Sequence, residues 1–115
     1  MAKTILVEEV TLEEQTLPFS DDVQSVDLVI TGRDYEEELM NDWRSYKDFE
    51  PELFTIRVNC LKQTELKPVI QAILRKAPSA KNVKDNIQEL VGCEFSLWWD
   101  SEGKRYMLWK VIATN

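Results

Sequence analysis

The sequence predicts a single α+β domain, with elements in the order β-β-α-β-α-α-β-β forming a mostly antiparallel sheet with helices on one face. Three observations predict it. Apolar residues alternate with polar ones along Phe54-Thr-Ile-Arg-Val-Asn-Cys60, the period of a half-buried strand. Apolar residues recur at three- and four-residue spacing at Tyr35, Leu39, Trp43 and Tyr46, and again at Val69, Ile70, Ile73 and Leu74, which places each set on one helical face. The chain closes on two apolar runs separated by Asp100-Ser-Glu-Gly103, the turn chemistry of a β-hairpin. With 115 residues, 43% of them apolar, the chain is long enough for one domain, 1–115, with a real core.

The elements follow in order. Thr4–Leu12 reads as a strand whose apolar phase slips at Glu8-Glu9, the sign of a bulge or an edge position. Gln15–Asp22 reads as a loop, and Val23–Thr31 as a second strand ended by Gly32-Arg33. Asp34 is placed to cap a helix, with Glu37 three residues on and acids at Glu36, Glu37 and Glu38 at its positive end. Pro51 stops that helix, and the Phe54–Cys60 strand follows with a polar outward row. Thr64–Lys76 reads as a second helix with Pro68 in its first turn and Val69, Ile70, Ile73 and Leu74 toward the core. Asn82 caps a short third helix that buries Val83, Ile87, Leu90 and Val91 and ends at Gly92.

In the hairpin, Gly103 is expected to supply the positive φ of the loop. Pairing Asp100 with Lys104 sets Glu94 opposite Lys110, Phe95 opposite Trp109 and Leu97 opposite Met107, so that opposite charges and aromatics meet. The core face is then Cys93, Phe95, Leu97, Met107, Trp109 and Val111. The other face carries Trp98, Tyr106, Leu108 and Ile112 among Glu94, Ser96 and Lys110, and must be covered by a helix or by a partner.

Composition narrows the function. The chain has no histidine, which removes the commonest general base and every Ser-His or Cys-His nucleophile. Its three glycines, Gly32, Gly92 and Gly103, stand apart, so no phosphate-cradling loop is present. Cys60 and Cys93 lie in apolar settings and read as buried thiols of a reducing, cytoplasmic compartment. Paired acids such as Glu8-Glu9 and Asp21-Asp22 read as solvated positions, and no metal or cofactor is expected. No apolar run approaches the length of a membrane span, and Met-Ala-Lys-Thr-Ile lacks the apolar core of a signal peptide. The expectation is a protein that is not an enzyme and works by binding.

The charge of −7 is uneven: residues 1–56 hold 15 acids and 4 bases, whereas residues 57–86 hold 7 bases and 2 acids. The first expectation is therefore an acidic interaction module that engages a basic nucleic-acid-processing protein, as inhibitors, immunity proteins and anti-defence proteins of phages and mobile elements do. Glu36, Glu37 and Asp42 would steer the encounter, and Trp98, Tyr106 and Leu108 would anchor it. A homodimer burying the greasy hairpin face is a further expectation. The alternative is a single-stranded nucleic-acid binder that stacks bases on Trp98 and Tyr106 and uses the basic 57–86 segment. Leu90-Val-Gly-Cys-Glu-Phe95 followed by Gly103-Lys-Arg-Tyr106 resembles the strand-entry pattern of small phage-type single-strand-binding OB proteins. That resemblance implies a five-stranded barrel interrupted by one helix, from which the element order above departs.

Overall fold

The computed structural model describes residues 2–16, 23–34 and 52–114. They form five strands, β1 (Ala2–Thr16), β2 (Val23–Arg33), β3 (Leu53–Asn59), β4 (Cys93–Asp100) and β5 (Arg105–Thr114), with α1 (Gln63–Lys76) and a 3-10 helix (Lys84–Leu90) between β3 and β4. The helix expected after Asp34 falls outside the described residues. The domain is α+β, and all four strand pairings are antiparallel in the order β3-β2-β1-β4-β5.

β1 is the centre of the sheet. Its first residues, Ala2–Leu6, pair with β4, while Leu6–Thr16 pair with β2. The phase slip at Glu8-Glu9 is a bulge, since Val7 pairs with Gly32 and Glu9 with Thr31, leaving Glu8 unmatched. Of the two expectations for that slip, the bulge is what the register shows, and beyond Leu6 the strand is laddered to β2 alone. The extra residue restores the inward phase, so Ile5, Val7 and Val10 are all buried. A bulge also sharpens local twist and lets a sheet curl. The curl brings the two outer strands together: the rings of Phe54 on β3 and Tyr106 on β5 meet edge to face at 5.2 Å.

β3 alternates as its sequence dictates, with Phe54, Ile56 and Val58 buried opposite Gly32, Ile30 and Leu28. The outward Thr55 and Arg57 are exposed. α1 closes the core with Val69, Ala72 and Ile73, packed in one cluster with Ile5, Leu28, Ile56, Leu90, Phe95 and Leu97. Fully burying side chains of this size contributes about 1.5–3 kcal/mol each.

Several expectations are corrected. Ile70 and Leu74 lie on the exposed flank of α1, and Ala72 takes the inward place. Pro68 is the sixth residue of α1, beyond its first turn, and removes the donor that would have met the Thr64 carbonyl. The element capped by Asn82 is a 3-10 helix, with Asn82 Oδ1 accepting from the Asp85 N–H at 2.9 Å. Gly92 ends it at φ +88, as expected, and donates its N–H to the Val7 carbonyl at 2.9 Å.

The hairpin register differs most. Asp100 pairs with Arg105, Trp98 with Met107 and Leu97 with Leu108, after which two shifts set Ser96 against Lys110 and Phe95 against Val111, then Glu94 against Ala113. Trp109 and Ile112 are thus the unmatched residues of two bulges. Lys104, at φ 52, makes the left-handed step assigned to Gly103. The Glu102 N–H donates to Asp100 Oδ1 at 3.1 Å, the side-chain turn that starts the loop.

Candidate basic groove and aromatic hairpin

The register sorts the hairpin aromatics onto opposite sides. Tyr106 and Leu108 point inward, half-buried against the core. Trp98 pairs with Met107 on the outer face, where it is 42% exposed. The three hairpin residues expected to form one packing surface therefore do not share one. The physical reason is phase: adjacent strand residues point to opposite faces, and the one-residue change of register exchanges the roles of Met107 and Leu108. Trp99 is exposed at the strand end, edge to face with Tyr106 at 5.1 Å, so that Trp99 on β4, Tyr106 on β5 and Phe54 on β3 form a ladder of rings. Glu36, Glu37 and Asp42 lie outside the described residues.

Trp109 is the residue that the sequence reading misplaced. Expected in the core, it is 55% exposed. As the bulge residue between Leu108 and Lys110 it has no partner on β4, and a bulge re-aims the side chain it carries. The signal was present: Met107-Leu-Trp and Val111-Ile place neighbouring apolar residues where a regular strand buries only every second one.

Trp109 lines a groove of about 320 Å³ between β5 and α1. The helix contributes Thr64, Lys67, Pro68, Gln71 and Arg75, a row at three- and four-residue spacing on the side turned from its buried stripe. The strand contributes Trp109, Lys110 and Val111. Lys110 Nζ lies 4.9 Å from the centroid of the Trp109 ring, a cation held on its face. Among the described residues, every charged side chain lining the groove is a cation.

The outer face of β1, β2 and β3 is different. Arg57 reaches Glu13 at 2.6 Å and Asp27 at 3.7 Å, and Arg33 reaches Glu8 at 3.3 Å. These bases are neutralised by carboxylates on neighbouring strands, with Glu9 exposed beside them. Just beyond the end of β2, Asp34 is buried, its carboxylate 3.6 Å from Lys3 Nζ.

Both cysteines are free thiols, Cys93 buried and Cys60 half-buried. Burial pushes the pKa of each thiol up, which disfavours the thiolate that a nucleophile or metal ligand requires. Among the described residues no group of three His, Cys, Asp or Glu side chains converges as a metal site would require. No helix among them is long and apolar enough to cross a membrane. No protein-family model, curated protein or solved structure matches the chain.

Proposed function

We propose that this chain is a single-stranded nucleic-acid-binding module. The observation that carries the reading is the strand order β3-β2-β1-β4-β5, with α1 between β3 and β4 and the outer strands brought into contact. That is the arrangement of a partly open five-stranded OB barrel, a frame that presents oligonucleotides to its outer surface. Site chemistry supports it: Trp98, Trp99 and Trp109 offer exposed rings for stacking, and Lys110 stands beside one of them. Among the described residues, α1 and the 3-10 helix both lie between β3 and β4, which supports the reading; the helix expected after Asp34 lies outside the described residues.

The test is a titration of intrinsic tryptophan fluorescence with single-stranded DNA and RNA at low and moderate salt. Quenching that weakens as salt rises is the expected result. Absence of quenching, with the protein folded, overturns the reading.

A second reading, the acidic module that engages a basic protein, is favoured by the charge of residues 1–56 and by the exposed carboxylates of Glu9, Glu13 and Glu14. It predicts that Glu37→Lys with Asp42→Lys slows association with such a partner and flattens its salt dependence. Unchanged association rates count against it.

A further inference from the structure

We infer that the groove between α1 and β5 seats a phosphate-and-base unit of the bound strand, with Lys67, Arg75 and Lys110 meeting phosphate oxygens and Trp109 stacking on the base. The inference rests on the single-strand reading and moves the contact away from the outer face of β2 and β3. Charge decides between the two surfaces. On β2 and β3 the arginines Arg33 and Arg57 are already engaged by Glu8, Glu13 and Asp27. Among the described residues, Lys67 and Arg75 make no ion pair and no carboxylate lines the groove. A polyanion approaching a chain of net charge −7 meets uncompensated cations here.

Geometry agrees with charge. Lys67 and Arg75 are two turns apart along one side of α1, so their heads stand in a line parallel to the helix, as a backbone-tracking row requires. Trp109 faces that row across the groove with more than half its surface in water, 55%. A volume of about 320 Å³ lies at the lower end of the range for small-ligand sites, which suits one nucleotide unit of a longer strand. Lys110 now rests on the indole. An arriving base takes its place in the stronger of the two contacts, and the ammonium turns to the phosphate. The β5 bulge at Trp109 shapes this surface: in a regular strand the residue after Leu108 would pair with Ser96, but Lys110 takes that place and Trp109 is left off the ladder.

The probe is a labelled oligothymidylate followed by fluorescence anisotropy, with wild type, Trp109→Leu, Trp109→Phe, Lys67→Glu with Arg75→Glu, and Arg57→Ala. Trp109→Leu is expected to weaken binding about 5- to 150-fold, while Trp109→Phe, which keeps a stacking ring, stays near wild type. The double charge reversal is expected to flatten the plot of log K against log salt by about 1.4 units, about 0.7 per phosphate contact on a single strand. Arg57→Ala, on the neutralised face, leaves the affinity unchanged. All substituted side chains are exposed, and thermal melting confirms that each variant is folded. Wild-type binding that survives Trp109→Leu and the charge reversal overturns the groove while sparing the single-strand reading. Loss confined to Arg57→Ala overturns it in favour of the β2–β3 face. No binding by wild type removes both.

Discussion

Replacing Gly32 with alanine tests the frame on which every functional argument above depends. Gly32 sits on β2 directly opposite Val7, beside the β1 bulge, where the two backbones approach unusually closely. A Cβ there would lie 2.6 Å from the Leu6 carbonyl oxygen and 3.0 Å from Ile5 Cδ1, whereas ordinary contact begins at 3.4 Å. The oxygen belongs to backbone at the centre of the sheet, so no side-chain rotation relieves it. Separating β1 from β2 by roughly 0.8 Å would stretch the flanking ladder hydrogen bonds, about 1 kcal/mol each, and add overpacking of about 1–3 kcal/mol. The expected loss is about 3 kcal/mol, a fall in Tm of roughly 10 °C for a domain of this size. Gly103→Ala is the control. Its nearest neighbour is the Asp100 carboxylate at 2.8 Å, a side chain that can move, and it should cost under about 0.5 kcal/mol. The assay is thermal and urea unfolding of both variants. A loss below about 0.5 kcal/mol for Gly32→Ala would refute the bulge and the β1–β2 register built on it.

Two further outcomes are expected. Lys104→Gly should stabilise the protein by about 1 kcal/mol in urea unfolding, because Lys104 holds a left-handed φ of 52 that glycine adopts freely. No gain would mean that the loop is built otherwise. The raised thiol pKa of Cys93 couples stability to alkaline pH. The folded state keeps its proton while the unfolded thiol ionises near pH 8.5, about its ordinary value, so the contribution is complete below that pH and is lost as pH rises toward the folded pKa. The stability gap between wild type and Cys93→Ser, which does not ionise, should therefore narrow from about pH 8 to about pH 10, by at most about 1.4 kcal/mol per pH unit. A gap that widens contradicts the burial of Cys93.

Local pattern was legible where one physical term dominated. β3 could be read from Phe54, Ile56 and Val58 because every second side chain is buried and nothing interrupts the phase. α1 was located to within a residue, and the extra residue in β1 was visible at Glu8-Glu9 as a slip in apolar phase. The hairpin failed because weak terms were given the decision. Matching Glu94 with Lys110 and Phe95 with Trp109 offers about 0.2–1 kcal/mol per pair. Burial of Leu97 with Leu108 and of Phe95 with Val111 outweighs it, at the expense of two bulges. Trp109 was lost with that register, and with it the groove. Strand order lay beyond local pattern altogether. β1 pairs with β4 some ninety positions away, and only three-dimensional packing decides that. Asp34 shows the same limit: its carboxylate lies 3.6 Å from Lys3 Nζ at the start of β1, a contact distant in sequence that no local pattern announces.

A net charge of −7 opposes association with a polyanion, and salt offers a way to test how far that opposition reaches. A net charge of −7 repels a polyanion only over distances that solvent ions leave unscreened. At 0.01 M ionic strength the screening length is about 30 Å, comparable with the 54 × 34 × 24 Å extents of the molecule, so a strand at the groove feels the whole acidic surface. At 0.1 M it is about 10 Å, and the strand feels chiefly Lys67, Arg75 and Lys110. Phosphate contacts to three cations give log K against log salt a slope of about −2 for single strands. Adding the long-range repulsion, the plot should follow that slope above about 0.1 M and bend toward flat near about 0.01 M. A protein whose cations stood free of any acidic surround would give a straight line throughout. Anisotropy titrations across that range decide the matter. A straight line down to the lowest salt would show that the acidic surface is not sensed at the site, and a slope much steeper than about −2 would require cations beyond the groove.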